Sequence, residues 1–175
     1  MAIIITVAVI LFLLITWAMS TQRQLVVMEE NVDHAISQIG VHISSWFDTL
    51  DCLLDLLGEY AELDANTLMN TVKARRIIIT AKSTPADILK QQEMLVEAFR
   101  QISILAERYP KLKANENYVK YVAAAEHFQK MARTARLIYN DSVTKLNRSV
   151  RMFPTNLMAG ILGFHQRGYL EAIEG

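Results

Sequence analysis

The chain has 175 residues, 52% of them hydrophobic, with 18 basic and 18 acidic side chains. That length allows one domain plus an attachment, and the zero net charge gives no global pull on nucleic acid. Six Gly and three Pro favour long uninterrupted elements, and a single cysteine, Cys52, excludes an intrachain disulfide and fits a reducing compartment.

Ala2 to Met19 reads AIIITVAVILFLLITWAM and is followed by no charge until Arg23. Eighteen helical residues rise about 27 Å, close to the hydrocarbon thickness of a bilayer. Trp17 sits at one end, where an interfacial aromatic belongs. A cleaved signal peptide would want a basic stretch before the apolar run, and none is present. The segment is therefore expected to be an uncleaved anchor over residues 1–20. Arg23 on its C-terminal side places the bulk of the chain in the cytoplasm by the positive-inside rule.

No Pro or Gly interrupts Ala2 to Ile39, so the anchor is expected to run on as a helix to about Glu62. Val32, Ile36, Ile39, Ile43, Trp46, Leu50, Leu53 and Leu57 fall in one narrow stripe at about 100° per residue. Asp48, Asp51, Asp55, Glu59 and Glu62 share its period on the opposite face. A second helix is predicted from about Ala65 to Lys82, with Leu68, Val72, Arg75 and Ile79 on one side. KSTPAD is a break and a restart, with Thr84 as N-cap, Pro85 in the first turn and Asp87 closing a capping box. The third helix follows to about Tyr109 with Ile88, Leu95, Phe99, Ile102 and Ala106 as its stripe. Pro110 ends it, Asn115 caps the next, and a long last helix runs to about Phe153 before Pro154. Its apolar face carries Tyr118, Val122, Ala125, Ala132, Tyr139, Val143, Leu146 and Val150.

The fold class expected is all-α: a transmembrane helix (1–20) continuing into a soluble antiparallel four-helix bundle with coiled-coil-like packing (21–153) and long first and last helices. An apolar tail (154–175) completes the chain. In it, Leu157, Ile161 and Phe164 are expected on one face of a short helix, surrounded by Lys145, Arg148, Arg151 and Arg167. That combination suits either sealing the foot of the bundle or touching an anionic membrane surface. Gly160 and Gly163 are expected to permit close packing there.

None of His34, His42, His127 or His165 follows a Glu at the spacing of a di-metal carboxylate bundle. Cys52 and His42, ten residues apart on one helix, are about 15 Å apart by rise, too far for a nucleophile and its base. Cys52 reads as a small buried hydrophobe. No Gly-rich phosphate loop occurs. The expectation is no catalytic residue, no metal and no cofactor. Between Arg23 and Lys73 nine acids and no basic residue occur, whereas Lys120 to Arg151 holds seven basics and two acids. These faces either pair within one molecule or meet between neighbours, which makes the acids from Asp48 to Glu62 a candidate partner face.

RYPKLKANENY, RLIYNDSV and FPTNLMAGILGF, with NVDHAISQI and EYA upstream, resemble the signature stretches of the LemA family in order from about Leu25 to Gly175. The resemblance implies a bacterial protein with one N-terminal membrane helix, a helical bundle and no established enzymatic activity. Where the family carries a basic, proline-bearing run on its first soluble helix, this chain has IGVHISSWFDTLDCLL, Ile39 to Leu54. Gly40 stands for an Asp, Ser44, Ser45 and Trp46 for the basic cluster, Asp51 for the Pro and Cys52 for the Asn. Phe128 and Gln129 stand where a Thr-Glu pair is common. The expected function is a non-enzymatic scaffold or adaptor at the inner membrane. Its partners are lipid and either another protein or further copies of itself, with no nucleic acid. The alternatives are a small-ligand binder or enzyme in the bundle core, and an extracytoplasmic envelope protein.

Overall fold

The computed structural model describes residues 1–170 and contains six helices, with no strand among the described residues. They are α1 (Ala2–Gly58), α2 (Glu62–Ala74), α3 (Pro85–Glu107), α4 (Pro110–Lys113), α5 (Glu116–Arg151) and α6 (Thr155–Leu162). α1 is one continuous helix of 57 residues. Its first part is exposed on every side and is, by length and composition, long and apolar enough to cross a membrane. Burial begins at Thr21 and Leu25.

α1 is the spine of the packed region: α2, α3, α5 and α6 all contact it. Its buried stripe is accordingly wider than the sequence periodicity alone indicates. Ala35, Phe47, Leu54 and Leu56 are buried beside the expected Trp46, Leu50, Leu53 and Leu57. A helix covered from several sides needs a broader apolar face than one covered from one side. Each large side chain so buried contributes roughly 1.5–3 kcal/mol.

The capping chemistry of α3 and α5 matches the expectation. Thr84 Oγ1 accepts the Asp87 N–H at 3.2 Å while an Asp87 carboxylate oxygen accepts the Thr84 N–H at 2.9 Å. Asn115 Oδ1 accepts the Asn117 N–H at 2.9 Å. Pro110 does end α3, and it also opens the one-turn helix α4.

α2 departs from expectation, stopping at Ala74 rather than near Lys82. The residues that follow, Ile77, Ile78, Ile79 and Thr80, form a β-branched run that loses rotamer freedom in a helix. They cross α1 as an irregular segment instead. The Ile77 N–H donates to Gln91 Oε1 at 2.6 Å, and Ile79 is buried. A Cβ placed on Gly40 would lie 2.6 Å from the Ile79 carbonyl oxygen. Gly40 is therefore the point at which a second backbone comes too close for any side chain. Arg75, expected on the core stripe, is exposed. Its neighbour Arg76 stacks its guanidinium 4.1 Å above the Phe47 ring. Cys52, expected as a buried hydrophobe, is exposed.

Candidate functional site at the C-terminal end

α6 is capped by Gly163, whose φ of 79° is the left-handed conformation that stops helices. The Gly163 and Phe164 N–H groups both donate to the Ala159 carbonyl. Nothing lies within 4 Å of a Cβ built at Gly160 or Gly163, so neither serves close packing; Gly163 is there for its backbone conformation. α6 packs on α1 and α5 through Ala159, which is buried. Its outer residues are not covered: Leu157 is 58% and Ile161 78% exposed, and Phe153 just before it is 77% exposed. Arg148 and Arg151 are exposed at the end of α5. Phe164 lies beyond the helix end and is half-buried, so it does not share the exposed face of Leu157 and Ile161.

Past Gly163 the chain becomes an irregular strap that runs back along α5. Asn147 Nδ2 donates to the Arg167 carbonyl at 2.9 Å, and Asn147 Oδ1 accepts the Arg167 N–H at 2.8 Å. Asn140 treats Leu170 identically, with bonds of 2.8 and 2.9 Å. The Tyr139 hydroxyl donates to the Gly168 carbonyl at 2.7 Å. The spacing explains the fit. Asn140 and Asn147 are two helical turns apart, about 10.5 Å by rise. Arg167 and Leu170 are three residues apart, about 10 Å in an extended chain. Each asparagine amide thus stands in for a neighbouring strand.

Arg167 also bridges to α1, with Nη2 3.1 Å from Glu29 Oε1 and 3.6 Å from Asp33 Oδ1. This residue, expected among the lipid-contacting basics, is half-buried in an ion-pair cluster. Burial raises the Tyr139 hydroxyl pKa, with Arg167 opposing and Asp33 adding to the shift. The phenol therefore keeps the proton it donates to the strap. Leu170 is 1% exposed, its side chain enclosed. Residues 171–175 of the tail lie outside the described residues.

The acidic stripe divides. Asp51 is half-buried with Lys73 Nζ at 3.0 Å, and Asp48 meets Arg76 at 3.4 Å. Asp55, Glu59 and Glu62 are exposed. The cations that answer Asp48 and Asp51 come from α2 and the segment after it rather than from α5. On α5, Lys145 pairs with Asp141 and Lys120 with Glu116 along the helix itself. Arg136, counted with the exposed basics, is buried and donates to Gln92 Oε1 at 3.2 Å. Burial and the charge of Arg133 lower its pKa. The buried polar residues of the described chain are thus Thr21, Gln91, Gln92, Arg136 and Asn147. Periodicity hides them, since each sits at an apolar position of its helix.

No group of three or more metal-ligating side chains is assembled among the described residues. His34 meets Gln38, and His127 stands edge-on to Phe128. No curated protein matches the chain. The LemA family profile matches residues 35–175, from within the packed part of α1 through the strap and tail. That match covers most of the chain, and the chain belongs to the LemA family.

Proposed function

We propose that this chain is a single-pass protein of the bacterial inner membrane, acting as a non-enzymatic scaffold or adaptor. Its cytoplasmic helices form an antiparallel four-helix bundle, hung from the anchor without a hinge. The observation that carries this reading is α1 itself: one helix changes from apolar on all sides to apolar on one side, with no break between. A helix that exposes all its faces as apolar needs lipid around it.

The foot of the bundle supports the reading. Arg167 ties Asn147 of α5 to Glu29 and Asp33 of α1, and α5 ends one turn later at Arg151. In an antiparallel arrangement α6 then lies within roughly 10 Å of Ser20, where the apolar segment ends. Leu157 and Ile161, flanked by Arg148 and Arg151, suit the headgroup region of an anionic bilayer. Asp55, Glu59 and Glu62 at the far end remain open to a protein partner. The interior is occupied by packed aliphatic and aromatic side chains, and Gln92 and Asn147 spend their hydrogen bonds within the chain.

Alkaline carbonate extraction of native membranes tests the anchor, and the protein is expected in the membrane pellet. A C-terminal reporter active only outside the cytoplasm tests orientation, and it is expected to be silent. A carbonate-soluble protein overturns the anchor; an active reporter moves the bundle to the envelope side.

A further inference from the structure

Among the described residues, the strap is recognised through a very short stretch. Asn140 and Asn147 hold the backbone of Leu170 and Arg167, Tyr139 holds the Gly168 carbonyl, and Glu29 and Asp33 receive the Arg167 guanidinium. All of these bonds reach residues 167–170. His165 and Gln166, which link the strap to α6, are exposed and make no hydrogen bond to the rest of the described chain. The Phe164 N–H bond belongs to the cap of α6 and moves with that helix. The strap can therefore leave its groove about residues 165–166 while α6 stays packed.

We propose that this strap exchanges between neighbouring copies, so that the groove between α1 and α5 takes the Arg167–Leu170 segment of a second copy of the chain. A neighbour's tail offers the same amides, carbonyls, guanidinium and leucine, so every bond lost in one copy is regained in the other. The exchange is then close to neutral in contacts, and the balance is set by the local concentration of tails against the closed form. Confinement to a membrane plane raises that concentration. The inference rests on the membrane-anchored reading for this point alone. Four backbone-directed hydrogen bonds from two asparagines make the groove tolerant of the segment's side chains. The enclosed Leu170 site then selects an apolar residue, and the half-exposed Glu29–Asp33 pair adds a weaker preference for an Arg three residues before it.

Full-length chains in detergent separate exchange from simple closure, and independently of membrane insertion. Leu170→Asp puts a carboxylate into an enclosed apolar site, which releases the tail and leaves the groove intact. Asn140→Ala with Asn147→Ala spoils the groove and leaves the tail intact. Each variant carries its own tag, and circular dichroism checks that helicity is kept. Neither variant alone is expected to capture a differently tagged twin, whereas the two mixed together are expected to capture each other. Trypsin release of the peptide 168–175, read by mass spectrometry, is expected to be fast from each variant alone. On mixing, release from the asparagine variant is expected to slow at least about tenfold. Should the asparagine variant lose helicity, Arg167→Glu and Glu29→Arg chains replace the pair, since they match each other only across two molecules. Mixtures that stay uncaptured, with release as fast as from the separate variants, overturn exchange and leave a strap that closes only on its own chain. Failure of the carbonate test above is read separately, because capture in detergent needs no bilayer.

Discussion

The two halves of the C-terminal region reverse the usual assignment of apolar residues to the inside and polar ones to the surface. α6 is the more apolar half, yet Leu157 and Ile161 face outward. The strap carries Arg167, Gly168 and Tyr169, yet its backbone is pinned and its Leu170 is enclosed. Attachment here depends on satisfied backbone groups as much as on apolar area. Five hydrogen bonds at about 0.5–1.5 kcal/mol each compare with the burial of one or two large side chains. The apolar half is left free for another solvent or surface.

The largest contrast between these halves is expected from alanine substitutions. Leu170→Ala should cost about 2–5 kcal/mol, because its side chain is enclosed. Ile161→Ala should stay within about 0.5 kcal/mol. Equal losses in chemical denaturation would break the comparison. Asn147→Ala should cost about 1–3 kcal/mol by stranding the Arg167 N–H and carbonyl, with proteolysis after Arg167 accelerated. A silent Asn147→Ala would mean that water replaces the amide at no cost.

Lipid sharpens the other half. The chain from Gln22 onward is expected to bind anionic vesicles weakly, and less in high salt. Leu157→Asp with Ile161→Asp should lower that binding at least about tenfold, or about 1.4 kcal/mol, with stability little changed. Unchanged sedimentation with vesicles would remove lipid from the account of α6. Arg167→Met should cost only about 0–1 kcal/mol, since its ion pairs are half exposed, and the cost should shrink with salt.

Acid should act on α3 before it acts on the backbone bonds of the strap. Arg100, and after it Gln101, hold the Glu97 carboxyl down to about 2 from 4.5. Thr84 lowers Asp87 through side-chain and backbone hydrogen bonds. A depressed carboxylate pKa stabilises above its unfolded value, and the stabilisation is lost as pH falls through the folded one. Glu97→Gln should therefore flatten a small decline in thermal stability between about pH 4.5 and 2. A decline unaffected by Glu97→Gln would assign it elsewhere.

Much of this architecture was legible in the sequence because helices announce themselves by period and by caps. Trp46, Leu50, Thr84 and Asn115 stand where pattern and capping chemistry put them. The strap left no such signal. Its partners Asn140 and Asn147 are separated by two helical turns, and an asparagine at that spacing looks the same whether it meets water or a backbone. The early end of α2 was foreshadowed by the β-branched run at 77–80, but the decisive factor, Gly40 receiving the Ile79 carbonyl, joins positions 39 residues apart in sequence. Arg136 was misplaced because charge patterning assigns every basic residue to the surface, whereas Gln92 provides it a partner inside. The exposed face of α6 was legible as apolar. Its exposure at Leu157 and Ile161 was one of two readings, and the departure of Phe164 from that face was not legible, since it depends on where Gly163 ends the helix.

The unbroken α1 has a mechanical consequence. From Ser20 to Gly58 it extends about 57 Å at 1.5 Å per residue. A change of about 10° in the tilt of the apolar segment sweeps the distal end by roughly 10 Å if the rod holds its shape. Such tilts are within the range by which bilayers of different thickness accommodate a span. In the anchored arrangement proposed above, the far tip of the molecule, where Asp55, Glu59 and Glu62 lie, is geared to the thickness of the membrane at its base.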